Sequence, residues 1–106
     1  MDNNNADMSL DIVGYAAKTE ELKAELLLGV AEVFRNTAMG SRALPSEERF
    51  ADMLSLMLML ANRCGADMQA IGREMLAGAK AGLAREDAFS RDHRAVIGFV
   101  NGENRR

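Results

Sequence analysis

Residues 53–61 read Met-Leu-Ser-Leu-Met-Leu-Met-Leu-Ala, a run of nine positions with one hydroxyl group and no charge. Asp52 precedes the run, and Asn62 and Arg63 follow it. As an α-helix these residues make about two and a half turns, so apolar side chains point in every direction. A helix that is apolar on all sides must be buried on all sides. Because a chain of 106 residues can hardly surround such a helix alone, the run predicts burial against other copies of the chain.

The composition predicts an all-α protein. Hydrophobic residues make up 48% of the chain and charged residues 27%, a balance typical of a globular protein and not of a disordered one. Good helix formers dominate, and Pro45 is the only proline. Aromatic residues are scarce, whereas Met occurs eight times, so flexible Met side chains are expected to fill much of the core.

The charge balance argues against nucleic acid as a partner. The formal net charge is −3, and non-specific binding to nucleic acid depends on a cationic surface. The charges are unevenly distributed, with ten acids and five bases in residues 1–62 but six acids and eight bases in residues 63–106. The acidic half could hold divalent cations or simply face water, and the sequence leaves both interpretations open.

Several features favour a cytoplasmic protein without membrane contact. The first residues lack the basic leader and apolar core of a secretory signal. The apolar run is also too short to span a bilayer, which takes about 20 residues. Cys64 and His93 are single residues of their type and cannot together form a zinc site. We expect Cys64 to be a small buried side chain and His93 to be exposed in a charged stretch.

The first helix is predicted after a disordered arm over residues 1–8. Ser9 is the expected N-cap, and apolar residues at spacings of three and four then mark one face of an amphipathic helix. These residues are Leu22, Leu26, Val30, Val33 and Phe34, with Leu27 and Thr37 beside them. Gly40 and Pro45 end the segment, because glycine suits a helix C-terminus and proline cannot continue a helix.

Three further helices are predicted. Ser46 caps the second, which ends near Cys64-Gly65, and Asp67 caps the third, over residues 68–85. A shorter fourth segment begins at Glu86-Asp87 and extends to about Val100. We therefore expect one bundle-like helical domain over residues 9–100 and a frayed tail over residues 101–106.

The second and third segments carry a family resemblance. Residues 47–71 present Ala51-Asp52, a buried aliphatic helix, Ala61-Asn62-Arg63, then Gly65, and Asp67 at the start of the next helix. This order and spacing resemble the MazG-like, all-α nucleotide pyrophosphohydrolases. The resemblance implies cleavage of nucleoside triphosphates to monophosphate and pyrophosphate with Mg²⁺, which is bound by hard oxygen ligands.

The resemblance implies metal ligands at two acidic pairs, each spaced i, i+3, on consecutive helices. This sequence departs from that pattern, because Arg49 stands three residues before Asp52. The remaining candidate ligands are Glu21, Glu25, Glu48 and Asp52, which form pairs at i, i+4 and still share helix faces. Each has a structural alternative: Glu48 offsets a helix dipole, Glu21 and Glu25 are solvated, and Asp52 forms an ion pair with Arg49.

The apolar run also predicts how the subunits assemble, as a homodimer or a dimer of dimers. Within the subunit, we expect the second helix to pack through Leu54, Met57, Leu58 and Ala61. The residues expected to face the partner subunit are Leu56, Met59 and Leu60.

Two hypotheses for function follow. The first is a Mg²⁺-dependent nucleotide pyrophosphohydrolase or nucleotide binder, and the second is a non-enzymatic helical oligomer that binds another protein through its Met-rich surface. A DNA-binding helix-turn-helix is disfavoured. Ala61, Gly65 and Ile71 have the spacing of that motif, but Glu74 falls where it packs an apolar side chain.

Overall fold

A computed structural model describes residues 3–38, 40 and 44–102, with side chains from residue 11 onward. Within this part of the chain the protein forms four α-helices and no strand. They are α1 (Asn3–Asn36), α2 (Glu47–Arg63), α3 (Met68–Ala84) and α4 (Ser90–Val100). The predicted all-α fold class with four helices is thereby confirmed. The chain divides into two compact units, Met1–Gly65 and Ala66–Arg106.

The bounds of the middle helices agree with the sequence patterns. The Ser46 hydroxyl accepts a hydrogen bond from the Arg49 N–H at 3.2 Å and so caps α2. The Asp67 carboxylate accepts one from the Gln69 N–H at 3.1 Å and caps α3. Between them, Gly65 adopts a φ of 82°, a left-handed conformation that glycine reaches without steric cost.

The outer helices start at different residues from those predicted. α1 begins at Asn3 and continues through Ser9, so the predicted N-cap at Ser9 is wrong. No proline or glycine lies between Asn3 and Gly14, so the helix can extend in the N-terminal direction past Ser9. The preference of serine for the N-cap position does not by itself begin a helix at Ser9. α4 begins at Ser90, because Asp87 organises the preceding turn. The division into arm, single domain and tail stays a prediction.

In the first unit, α1 and α2 pack as an antiparallel hairpin. Arg63 at the end of α2 bonds to Tyr15 in the first half of α1. Arg49 at the start of α2 bonds to Glu32 near the end of α1. Val33 is only 8% exposed. The predicted apolar face of α1 is confirmed for Leu22, Leu26, Val30 and Val33, which are half-buried or buried. The other predicted members of this face, Phe34, Leu27 and Thr37, are exposed.

The face of α2 that packs on α1 is not the predicted one. Met53, Leu56 and Leu60 are half-buried. Of the four residues predicted to pack, Ala61 is half-buried, whereas Leu54, Met57 and Leu58 are exposed. The reason lies in the flanking charges. Arg49 and Arg63 both contact α1, and they share a helix face with the half-buried residues. The run itself is apolar on every side and therefore could not determine which face of α2 packs on α1.

In the second unit, α3 and α4 pack together, with the first turn of α4 over the last turn of α3. Ala79 is buried, and Gly82 is buried against the ring of His93. The prediction that His93 is exposed is therefore wrong, because Gly82 leaves room for the imidazole. The prediction for Cys64 is also wrong: its side chain is exposed at the end of α2. Within the described residues, no helix has the length and hydropathy that a membrane span requires.

Candidate functional site

A groove of about 450 Å³ lies between α1 and α2. Its walls come from one face of each helix, because residues three, four and seven apart lie on the same side of a helix. The lining residues are Glu25, Leu28, Gly29 and Glu32 from α1, and Arg49, Asp52, Ser55 and Leu56 from α2. The groove thus combines three carboxylates, one guanidinium group and the apolar side chains of Leu28 and Leu56.

An ion pair between Arg49 and Glu32 crosses this groove. The Arg49 Nη2 atom lies 2.8 Å from the Glu32 Oε2 atom, and the side chains are 43% and 38% exposed. At this exposure such a pair contributes about 0–1 kcal/mol to the stability of the fold. The alternative that Arg49 pairs with Asp52 is wrong, because the guanidinium reaches across to α1.

Two of the four predicted ligands line the groove. Glu25 and Asp52 belong to its walls, whereas Glu21 accepts a hydrogen bond from Lys18 Nζ at 3.1 Å. Glu48 is exposed in the first turn of α2 and does not line the groove. Over the described part of the chain, no three His, Cys, Asp or Glu side chains form a group that could hold a metal ion. A metal-binding role for these four acids stays a prediction.

Sequence reasoning missed Glu32 and Gly29. The signal for Glu32 was its spacing of seven residues from Glu25, which places both carboxylates on one face of α1. Gly29 is buried and allows α2 to come close. A β-carbon added at this position would lie 3.3 Å from Met53 Cγ. The missing side chain of Gly29 therefore leaves room for the Met53 side chain between the two helices.

The groove does not fit a Mg²⁺ ion held by two acidic i, i+3 pairs. The residue three positions after Glu25 is Leu28, and the residue three positions before Glu32 is Gly29. On α2, the position three residues before Asp52 holds Arg49. Mg²⁺ prefers hard oxygen ligands, and a guanidinium group carries only N–H donors. One wall of the groove therefore presents a fixed cation where an acidic pair would be needed.

Together, the helices and the groove define an all-α protein with an acidic cleft between two antiparallel helices. The sequence model of the MazG-like family matches residues 16–94, a range that contains every residue of the groove. The chain therefore belongs to the MazG-like family, as its sequence resemblance indicated. No curated protein and no solved structure matches the chain.

Proposed function

We propose that this member of the MazG-like family acts as a self-associating helical protein and not as a nucleotide hydrolase. The observation that carries this proposal is the outer face of α2. Leu54, Met57 and Leu58 lie three and four residues apart and so share a face of the helix. They are 51%, 52% and 38% exposed, although they belong to the most apolar segment of the chain. Soluble monomers rarely leave large contiguous apolar patches in water, and such patches mark sites of protein association.

The energetics favour association through this face. Full burial of one Leu or Met side chain contributes about 1.5–3 kcal/mol relative to exposure. Side chains that are about half exposed gain about half of this value, and in a symmetric dimer both copies contribute them. This gain opposes the loss of translational and rotational freedom, which costs about 4–15 kcal/mol. The same unit adds a second apolar surface on α1, where Leu27 and Phe34 are exposed. We propose a homodimer or a dimer of dimers, in which the flexible Met side chains can also adapt to another protein.

The structure changes which residues we propose at this interface. Leu56 and Leu60, predicted to face a partner, are half-buried in the α1–α2 hairpin. Of the three residues predicted there, Met59 is the exposed one. We therefore place the proposed contact on Leu54, Met57 and Leu58, which share one face of α2, and Met59 flanks this face.

Sedimentation velocity at micromolar concentration tests this proposal. We expect the wild-type chain, of mass 11.6 kDa, to sediment as a dimer or tetramer. The double variant Leu54→Glu/Met57→Glu should sediment as a folded monomer. Leu44→Glu is the matched control, because Leu44 is an exposed leucine outside the helices, and its variant should stay oligomeric. A folded wild-type protein that sediments as a single chain would reject the proposal.

A second candidate is the Mg²⁺-dependent nucleotide pyrophosphohydrolase of the family resemblance. It is favoured by one observation, that Glu25, Glu32 and Asp52 line the same groove. This activity would require Arg49 to leave Glu32. Release of pyrophosphate from a panel of nucleoside triphosphates with Mg²⁺, abolished by Asp52→Ala, would support this candidate. Absence of both turnover and thermal stabilisation by Mg²⁺ would favour the non-enzymatic protein.

A further inference from the structure

We infer that Arg49 is a built-in counter-ion of the α1–α2 groove, and that its guanidinium group excludes divalent cations from the carboxylates there. The arginine joins α1 to α2 through Glu32 in the way that a metal ion with ligands on both helices would join them. This inference is independent of self-association, which involves the other face of α2.

The charges of the groove support this role. Glu25, Glu32 and Asp52 carry three negative charges, and Arg49 neutralises one of them. A divalent cation between the same walls would meet the positive guanidinium at close range.

Arg49 also occupies a carboxylate oxygen of Glu32 that a metal ion in this groove would need as a ligand. Glu32 Oε2 already faces Arg49 Nη2 at 2.8 Å, whereas Mg²⁺ requires oxygen ligands at about 2.0–2.1 Å in octahedral geometry. Asp52 lies one turn further along the same face of α2. The Arg49 backbone is held at the start of α2 by the Ser46 cap, so the side chain leaves the helix at a fixed position.

Binding of Mn²⁺, measured by electron paramagnetic resonance on the full chain, tests the inference. The wild-type protein should show no saturable binding up to millimolar Mn²⁺. The variant Arg49→Gln keeps the length of the side chain but removes its charge, and should bind Mn²⁺ at least tenfold more tightly by the Coulomb argument. The double variant Arg49→Gln/Asp52→Asn should lose this gain.

Two controls separate the local role of Arg49 from net charge and from shape. Arg63→Gln removes a positive charge at the other end of α2 and should leave Mn²⁺ binding at the wild-type level. Arg49→Lys keeps the charge without the planar donor group and should also bind no Mn²⁺. Circular dichroism verifies that each variant is helical.

Three outcomes would overturn the inference. They are Mn²⁺ binding by the wild-type protein as tight as by Arg49→Gln, an equal gain in Arg63→Gln, and a folded Arg49→Gln that gains none. If Arg49→Gln does not fold, tight Mn²⁺ binding by Arg49→Lys would overturn the inference, because that variant retains the charge. Sedimentation velocity of the same samples measures self-association independently of Mn²⁺ binding, so a failure of the proposed function can be distinguished from a failure of this inference.

Discussion

The imidazole ring of His93 lies directly against Gly82, so that the first turn of α4 rests on the last turn of α3. Gly82 is buried, and any β-carbon at this position would overlap the ring. The ring edge that faces Gly82 carries Nε2, and this atom also lies 3.1 Å from the Asp87 Oδ2 atom. The glycine and the carboxylate together hold the imidazole half-buried and fix the corner between the two helices.

We predict that Gly82→Ala destabilises the protein by about 1–3 kcal/mol, the usual cost of inserting a methyl group into a packed site. The higher helix propensity of alanine offsets only part of this cost. Urea denaturation followed by circular dichroism measures the change. The double variant Gly82→Ala/His93→Ala should recover part of the loss, because residues in contact do not act additively.

Gly78→Ala is the matched control, since Gly78 lies on the same helix with open space around it. Here the alanine should stabilise the protein by about 0.5–1 kcal/mol through helix propensity alone. Equal changes in stability for Gly82→Ala and Gly78→Ala would show that contact with the His93 imidazole does not restrict the size of the residue at position 82.

The pKa of Asp87 predicts an acid-dependent stability. The backbone N–H of Phe89 donates to Asp87 Oδ1 at 2.8 Å, and this hydrogen bond, followed by that with His93, lowers the pKa of Asp87 below its ordinary value of 3.8. A carboxylate with a lowered pKa stabilises the folded state above pH 3.8, and this stabilisation is lost as the pH falls through the lowered pKa. Asp87→Asn should therefore be less stable than wild type at about pH 6, with the difference shrinking below about pH 4.

Urea denaturation at a series of pH values measures this difference. Asparagine can still accept from the Phe89 N–H, so the variant isolates the contribution of charge. Glu74→Gln is the control, because Glu74 is an exposed acid on α3, and its effect should be small across the same range. A constant difference between wild type and Asp87→Asn from pH 6 to pH 3 would contradict the prediction.

The sequence predicted the helices better than their packing. Ser46, Gly65 and Asp67 act through local hydrogen bonds and backbone angles, and these signals are readable from neighbouring residues. The register of α2 was not readable from its apolar run, in which every face is similar. Only Arg49 and Arg63 distinguish one face, and their partners on α1 are distant in sequence.

For the same reason, only part of the candidate site could be predicted from the sequence. The family resemblance indicated Glu25 and Asp52, and both line the groove. Glu32 was missed because its role depends on the opposite helix. The sequence showed that Arg49 breaks an acidic pair, but only the fold shows that its partner is Glu32 and not Asp52.

Arg63 fixes the other end of the α1–α2 hairpin. Its Nη1 atom donates to the Tyr15 carbonyl oxygen at 3.1 Å and to the Thr19 hydroxyl at 3.2 Å. The guanidinium carbon also lies 4.3 Å from the centroid of the Tyr15 ring. We predict that Arg63→Lys destabilises the protein by about 1 kcal/mol, because lysine lacks the planar group that makes these contacts together.

Thermal denaturation provides the measurement, with Arg73→Lys as the control. Among the described residues Arg73 forms one exposed ion pair, with Asp67 at 3.9 Å, and its replacement should change the stability by less than about 0.5 kcal/mol. A similar loss in both variants would mean that the cost comes from replacing arginine by lysine in general and not from the contacts of Arg63 with Tyr15 and Thr19.

A glycine substitution in the groove should behave differently from the one at position 82. A β-carbon at Gly29 would approach Met53 Cγ to 3.3 Å, a contact that the flexible methionine can relieve by a small shift. The gain in helix propensity, about 1 kcal/mol, should then offset the cost, so Gly29→Ala should change the stability by less than about 0.5 kcal/mol.

In a Met53→Ile background the substitution Gly29→Ala should cost more, because a β-branched side chain is stiff at χ1. A double-mutant cycle measured in urea gives this coupling. Additive effects would show that Met53 does not adjust to the added β-carbon, and that the groove walls move apart instead.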